Sequence, residues 1–174
     1  SKVSLTKEKP KVSLTKNSGS SSFGTIKVNL NWNRASTNSG GFLGMFGSKN
    51  IDLDLGAFVR LSNGDLEVIQ ALGGNFGQLE RAPYVKLRSD DRTGASLDGE
   101  WLDINGKYWQ AIQEVLIYAF IYSGIPHWQE TDAIVTIQIE GQQSIETQLT
   151  EGNNQLGMCA IARLTNENGA IKVE

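Results

Sequence analysis

Apolar and polar residues alternate with a period of two along most of this chain, and the alternating stretches are separated by short runs of Gly, Asn, Ser and Asp. Thr25 to Trp32 sets the pattern, with Ile26, Val28, Leu30 and Trp32 on one face and Lys27, Asn29 and Asn31 on the other. Successive side chains of an extended strand point to opposite faces, so this spacing predicts a strand with one buried side. Ile51 to Leu61 alternates in the same way, Ser62-Asn63-Gly64-Asp65 reads as a hairpin turn, and Leu66 to Leu72 returns. Tyr84 to Leu87 predicts a short strand and Lys107 to Ile112 a single helical turn. Glu114 to Tyr122 holds a near-continuous apolar run, the pattern of a central strand covered on both faces. Ala133 to Glu140, Ser144 to Leu149, Leu156 to Leu164 and Ala170 to Val173 complete the set, the last two flanking the turn Asn166-Glu167-Asn168-Gly169.

Eight to ten strands with almost no helix predict an all-β fold, an antiparallel β-sandwich with long acidic loops. One sandwich domain is expected over residues 23–174, preceded by a basic segment over 1–22. That segment carries a repeat, Lys2-Val3-Ser4-Leu5-Thr6-Lys7 and Lys11-Val12-Ser13-Leu14-Thr15-Lys16. Each copy alternates, so it reads either as a lysine-protected edge strand or as a basic arm for an anionic surface. Glu174 falls inside a strand pattern, which predicts that the native chain continues past it.

Between the first two strong strands, Arg34 to Asn50 has no helical period and sets Phe42, Leu43, Met45 and Phe46 among glycines. This is a long loop with an apolar tip, which either folds back on the sandwich or docks a partner or membrane. Gly41, Gly44 and Gly47 are not followed by a Lys-Ser/Thr pair, so the segment does not read as a phosphate cradle.

Composition narrows the chemistry. The 174 residues carry a net charge of -3, one cysteine (Cys159) and one histidine (His127), too few for a disulfide or a closed zinc site. No apolar run approaches the ~20 residues of a membrane span. Residues 1–16 hold five lysines against one glutamate, a local +4 that leaves -7 for the rest, so nucleic-acid binding by the whole chain has no support. His127 reads as a surface residue stacked on Trp128, and Cys159 as a small buried hydrophobe. Site chemistry is left to oxygen donors.

Those donors cluster. Ten of the nineteen acids lie between Ile51 and Asp103. Asp52 and Asp54, two apart on a strand, share a face at a separation of roughly 7 Å. Ser89 to Glu100 packs Asp90, Asp91, Asp98 and Glu100 around Gly94 and Gly99. Counted from Ser89, Asp91, Thr93, Gly94 and Glu100 fall at the offsets used by a calcium-binding EF-hand loop, although the flanks read as strands and the first position is Ser. The competing reading is a solvated acidic loop neutralised by Arg81, Arg88 and Arg92. A glycosidase pair is disfavoured, because it needs a cleft and one raised pKa rather than acids collected around a cation.

The order of these segments resembles the TerD-domain family of tellurium-resistance and stress proteins, and within it the TerA branch. The likeness is carried by Val-Ser-Leu-Thr-Lys, Asn31-Trp32, Asp52-Leu53-Asp54-Leu55-Gly56-Ala57, Asp90-Asp91-Arg92-Thr93-Gly94 and Gly99-Glu100-Trp101-Leu102-Asp103-Ile104-Asn105. It implies a non-enzymatic, calcium-binding sandwich that acts in bacterial tellurite resistance and stress response. It also implies a cytoplasmic place at the inner membrane face, with partners from a resistance assembly. On this resemblance the calcium ligands are Asp52, Asp54, Asp90, Asp91, Thr93, Asp98 and Glu100. The chain departs from the family pattern at Ala95-Ser96-Leu97, where more acids are usual, and at Ser123, where an aspartate is usual. The rival reading is a calcium-dependent lectin or lipid-binding sandwich.

Overall fold

The alternating segments pair into two sheets. A computed structural model describes residues 2–32, 52–88, 99–123, 132–149 and 157–174. The strands are β1 (Lys2–Leu5), β2 (Val12–Leu14), β3 (Thr25–Asn31), β4 (Asp52–Leu61), β5 (Leu66–Ile69), β6 (Gly77–Gln78), β7 (Val85–Leu87), β8 (Glu100–Asn105), β9 (Ile112–Ser123), β10 (Ile134–Ile139), β11 (Ser144–Gln148), β12 (Met158–Glu167) and β13 (Ala170–Val173). One sheet runs β1-β11-β10-β3-β8-β7-β6 and the other β2-β13-β12-β9-β4-β5. This is the all-β sandwich predicted, with more and shorter strands. All the ladders are antiparallel except β1 with β11, which is parallel.

Period-two burial fills the space between the sheets. Ile26, Val28 and Leu30 of β3 face Leu53, Leu55, Ala57 and Val59 of β4 within one buried cluster, joined by Leu102 and Ile104 of β8 and by Val115, Ile117 and Ala119 of β9. Apolar area removed from water at roughly 25 cal/mol per Å² is what holds such a two-layer structure together. The expected helical turn is a short 3-10 helix over Gly106–Ala111, whose Asn105 side chain accepts from the Lys107 N–H and whose Trp109 plugs the open end of the core.

Three elements differ from expectation. The strand expected to run to Leu72 ends at Ile69, because Gln70 turns back to bridge Asn75. Glu100, read as the last acid of the loop with a strand-like flank after it, instead opens a central strand that runs to Asn105 between β3 and β7. β9 is central as expected, but its outer face is only partly covered, with Leu116 and Phe120 half-exposed.

The two copies of the N-terminal repeat go to different sheets. Lys2-Val3-Ser4-Leu5 lies parallel to Ser144–Thr147, and Val12-Ser13-Leu14 lies antiparallel to Ile171–Val173. A turn closed by reciprocal bonds of 3.1 Å between Thr6 and Lys9 carries the chain from one to the other. One repeated motif therefore caps the edges of both sheets on the same side of the sandwich.

Candidate metal centre

The ladder registers gather four connections at one pole. Leu30 pairs with Glu100, Asn31 with Ile134, and Ile134 with Gln148 in one sheet, while Asp52 pairs with Ser123 and Phe120 with Met158 in the other. The flanks of segments 33–51, 89–98, 124–131 and 150–156 consequently all sit at the same end of the sandwich. Candidate residues within those segments, namely Asp90, Asp91, Thr93 and Asp98 together with Phe42, Leu43, Met45, Phe46, His127 and Arg92, lie outside the described residues.

Three candidate carboxylates are described. Asp52 and Asp54 open β4 and alternate with Leu53 and Leu55 of the core, so both belong to the outward side of their sheet. Their surroundings differ: Asp52 is exposed, whereas Asp54 is only 6% exposed. The β4–β9 register slips between Asp52 and Leu53, a bulge of the kind that re-aims side chains beside functional sites. Glu100 opens β8 in the opposite sheet, where its carbonyl accepts from the Asn29 side chain at 3.2 Å.

Glu100 also spans the two sheets. Its Oε2 accepts the Leu55 N–H at 2.6 Å, which places its carboxylate against the peptide that joins Asp54 to Leu55. That N–H lies beyond the reach of β5, whose pairing with β4 ends at Ala57. A charged acceptor on an otherwise unpaired edge amide makes a short, strong bond. Glu100, 46 residues beyond Asp54 in the chain, thus touches the strand that carries the Asp52/Asp54 pair.

The other end of the acidic hairpin is fixed as firmly. The Arg88 N–H donates to the Trp101 carbonyl at 2.9 Å, its guanidinium grips Asp103 through two bonds of 2.8 and 2.9 Å, and its Cζ lies 4.8 Å above the Trp101 ring. The hydrogen bonds that Arg88 donates to Asp103 hold its pKa above the ordinary value. Arg88, expected as a neutraliser of the loop acids, is therefore committed to Asp103 outside the loop. At the hairpin's exit, Gly99 has φ +77, and a Cβ there would meet the Leu30 carbonyl oxygen at 2.1 Å. Only glycine allows β8 to enter so close to β3.

The roles of Gly99, Arg88 and the Leu55 amide were not read from sequence, which named Arg88 only as a neutraliser of the loop acids. A hairpin register that pairs Leu87 with Leu102 would have exposed the first two, since it sets Arg88 and Trp101 opposite each other across the loop. The Leu55 amide carries no sequence signal. Cys159 is half-buried against the core, and burial raises its thiol pKa, in keeping with a small hydrophobe.

In chemistry these donors are all carboxylate oxygen, the set a hard divalent cation takes and softer metals do not. Among the described residues, no group of three or more His, Cys, Asp or Glu side chains has the spacing to hold a metal ion. Asp52, Asp54 and Glu100 therefore do not form a metal shell by themselves; they stand beside the anchored ends of segment 89–98.

Fold and site together define a β-sandwich with an acidic pole, and solved structures share that fold. A homologue of telluride resistance protein (TerD) from Streptomyces coelicolor A3(2) superposes with a TM-score of 0.52 at 15% identity, covering 87% of each chain. A crystal structure of a protein of unknown function, SAV2460, gives 0.57 at 12% identity over 87% of this chain and 86% of that one. No protein-family model matches the chain. Over its whole length it is 58% identical to Tellurium resistance protein TerA from Alcaligenes sp, of which it spans 51%. The chain is thus similar over its whole length to about half of a tellurium-resistance protein of the TerA kind, and it shares its fold with a TerD homologue.

Proposed function

We propose that this chain is a calcium-binding, non-enzymatic interaction and scaffold domain that works in bacterial tellurite resistance and the general stress response. The observation that carries this reading is the 2.6 Å bond from the Leu55 N–H to Glu100. It brings the Asp52/Asp54 pair and the mouth of the 89–98 hairpin together, where carboxylates that repel one another gain a reason to converge if a cation sits among them. Calcium collects roughly six to eight oxygens at about 2.3–2.6 Å, so Asp90, Asp91, Asp98 and the Thr93 carbonyl would complete the shell that Asp52, Asp54 and Glu100 begin. The backbone bond orients the Glu100 carboxylate as outer hydrogen bonds orient metal ligands generally. Similarity to a TerA protein supports the resistance role, which for a chain spanning half of that relative belongs to the whole protein.

Partners from a resistance assembly and a cytoplasmic place at the inner membrane face are part of the same proposal. Among the described residues no helix is long and apolar enough to cross a membrane. Calorimetric titration of the calcium-free chain tests the reading, with magnesium as the control. Calcium should bind and raise the melting temperature, Asp54→Asn and Glu100→Gln should each abolish that effect, and silence up to millimolar calcium refutes it. Glu100→Gln keeps an oxygen for the Leu55 amide, so its loss of binding is not a loss of fold.

A further inference from the structure

The repeat at the start of the chain is exact: Lys2–Lys7 and Lys11–Lys16 are the same hexapeptide, Lys-Val-Ser-Leu-Thr-Lys, nine residues apart. The two repeats cover two different edges, since β1 is an end strand bonded to β11 and β2 an end strand bonded to β13. Unpaired edge amides are a template for any strand of fitting pattern. Two identical strands beside two edges leave the choice of partner to whatever surrounds them.

At β13 the contacts are ones that either repeat supplies. Leu14 lies opposite Ile171, Ser13 opposite Lys172 and Val12 opposite Val173, and Leu5, Ser4 and Val3 carry the same side chains in the same order. Lys11 reaches Glu174 at 3.5 Å, a contact that Lys2 would make from the same place. The Thr15 carbonyl accepts from the Gln142 side chain at 2.6 Å, and Thr6 has the same carbonyl to offer. The two sequences first differ just past the hexapeptide, where Asn17 donates to the Glu140 carbonyl at 3.3 Å and the first repeat continues with Glu8.

What favours the register seen is chiefly the β1 ladder. It joins Lys2–Leu5 to Ser144–Thr147 in parallel, the weaker kind of pairing, with Val3 and Leu5 only half-buried and one surface ion pair, Lys2 to Glu146 at 2.8 Å. We propose that the arm has a second register, nine residues along, in which Lys2–Lys7 replaces Lys11–Lys16 on β13 and β11 is laid bare. The occupant of that bared edge is the displaced repeat, Lys11–Lys16, of another molecule of this chain, because its sequence is the one that β11 already holds. Slipped chains thereby link in pairs through their arms, each edge refilled by the residue types it held before.

The slip passes nine residues into the Ser/Gly connection that leads to β3, so nothing is stretched. Both registers fill β13 alike, and they differ by the β1 ladder, the Thr6 to Lys9 turn and the Asn17 bond. A minor state of this kind is populated at roughly 0.1–10%. A partner strand on β11 restores the ladder, so linkage grows with concentration.

Disulfide locks test both steps. Arg163 and Glu174 exchange both backbone bonds, so Lys172 in turn bonds to β12 and faces Ser13 as a non-hydrogen-bonded pair, where side chains lie closest. In a Cys159→Ser background, Ser13→Cys with Lys172→Cys should close readily within one chain and lock the register seen. Ser4→Cys with Lys172→Cys should close within one chain at roughly 0.1–10% of that rate, and Thr6→Cys with Lys172→Cys, out of step, more slowly still. Sedimentation velocity of the oxidised chains, from ~1 µM to ~1 mM, should then find the Ser4-locked chain dimerising and the Ser13-locked chain monomeric. Closure at Thr6 as fast as at Ser4 means a frayed arm without a second register, and a Ser4-locked chain that stays monomeric means that β11 takes no second molecule. Either result overturns the proposal, as does failure of either serine-derived pair to close.

Discussion

At the scale of single residues, two glycines with nearly the same backbone separate strain from crowding. Gly64 has φ +94 with open space where a Cβ would stand, and Gly99 has φ +77 with the Leu30 carbonyl oxygen 2.1 Å from that point. Gly64→Ala should therefore cost only the left-handed backbone penalty, about 1 kcal/mol. Gly99→Ala adds a clash with backbone that cannot rotate away, and should cost at least about 3 kcal/mol in urea denaturation. If Gly99 also sets the hairpin mouth, the alanine variant should lose calcium binding in conditions where it remains folded. Equal costs for the two variants would show that β8 can move away from β3. Glu100 makes the complementary point: its value to the fold comes from an amide that carries no side-chain label, which is why its sequence offset alone made it look like a ligand and nothing else.

Elements show how identical sequence acquires different weight. Leu5 and Leu14 hold the same place in the two copies of the repeat, yet Leu14 is buried in the core cluster beneath one sheet edge while Leu5 is only half-buried at the edge of the other. Leu14→Ala should cost about 2–3 kcal/mol and Leu5→Ala about half that, measured by chemical denaturation. Matching costs would mean that burial at the two edges is equivalent. The repeat also marks what was readable in advance. Period-two alternation located β3, β4 and β10 within a residue or two, because a strand with one buried face must alternate, and a near-continuous apolar run located β9. It missed β6, which is two residues long, and gave β8 no bounds beyond the strand-like flank of the acidic loop, because Trp101 and Asp103 put an aromatic ring and charge on the outward side and Glu100 a carboxylate on the inward one. Sheet membership was not legible at all. Nothing in Lys-Val-Ser-Leu says that one copy pairs in parallel with β11 and the other antiparallel with β13, since the partner is chosen by which edge the preceding turn can reach.

Across the whole molecule, the candidate site joins two sheets whose facing sides are packed with apolar side chains. Glu100 belongs to one sheet and Asp52, Asp54 and Leu55 to the other, so a cation held between them would couple the layers at the loop pole while leaving the turn pole alone. A ligand that binds only the native state adds about 2.7 kcal/mol at 100 times its dissociation constant, which is roughly a hundredfold in any opening equilibrium that must release it. Hydrogen exchange should report this directly. With saturating calcium, amides of Leu53, Leu55 and Gly56 in β4 and of Trp101 and Leu102 in β8 should slow together by about that factor where they exchange through local opening of the pole. Amides of the Ser62–Asp65 turn, at the far end, should keep their rates if that turn opens independently. Slowing in one sheet alone would mean that the cation does not bridge the layers. Unchanged rates in both, in a protein that still binds calcium, would place the ion away from the Leu55 to Glu100 bond and remove the reason for assigning Glu100 to the site.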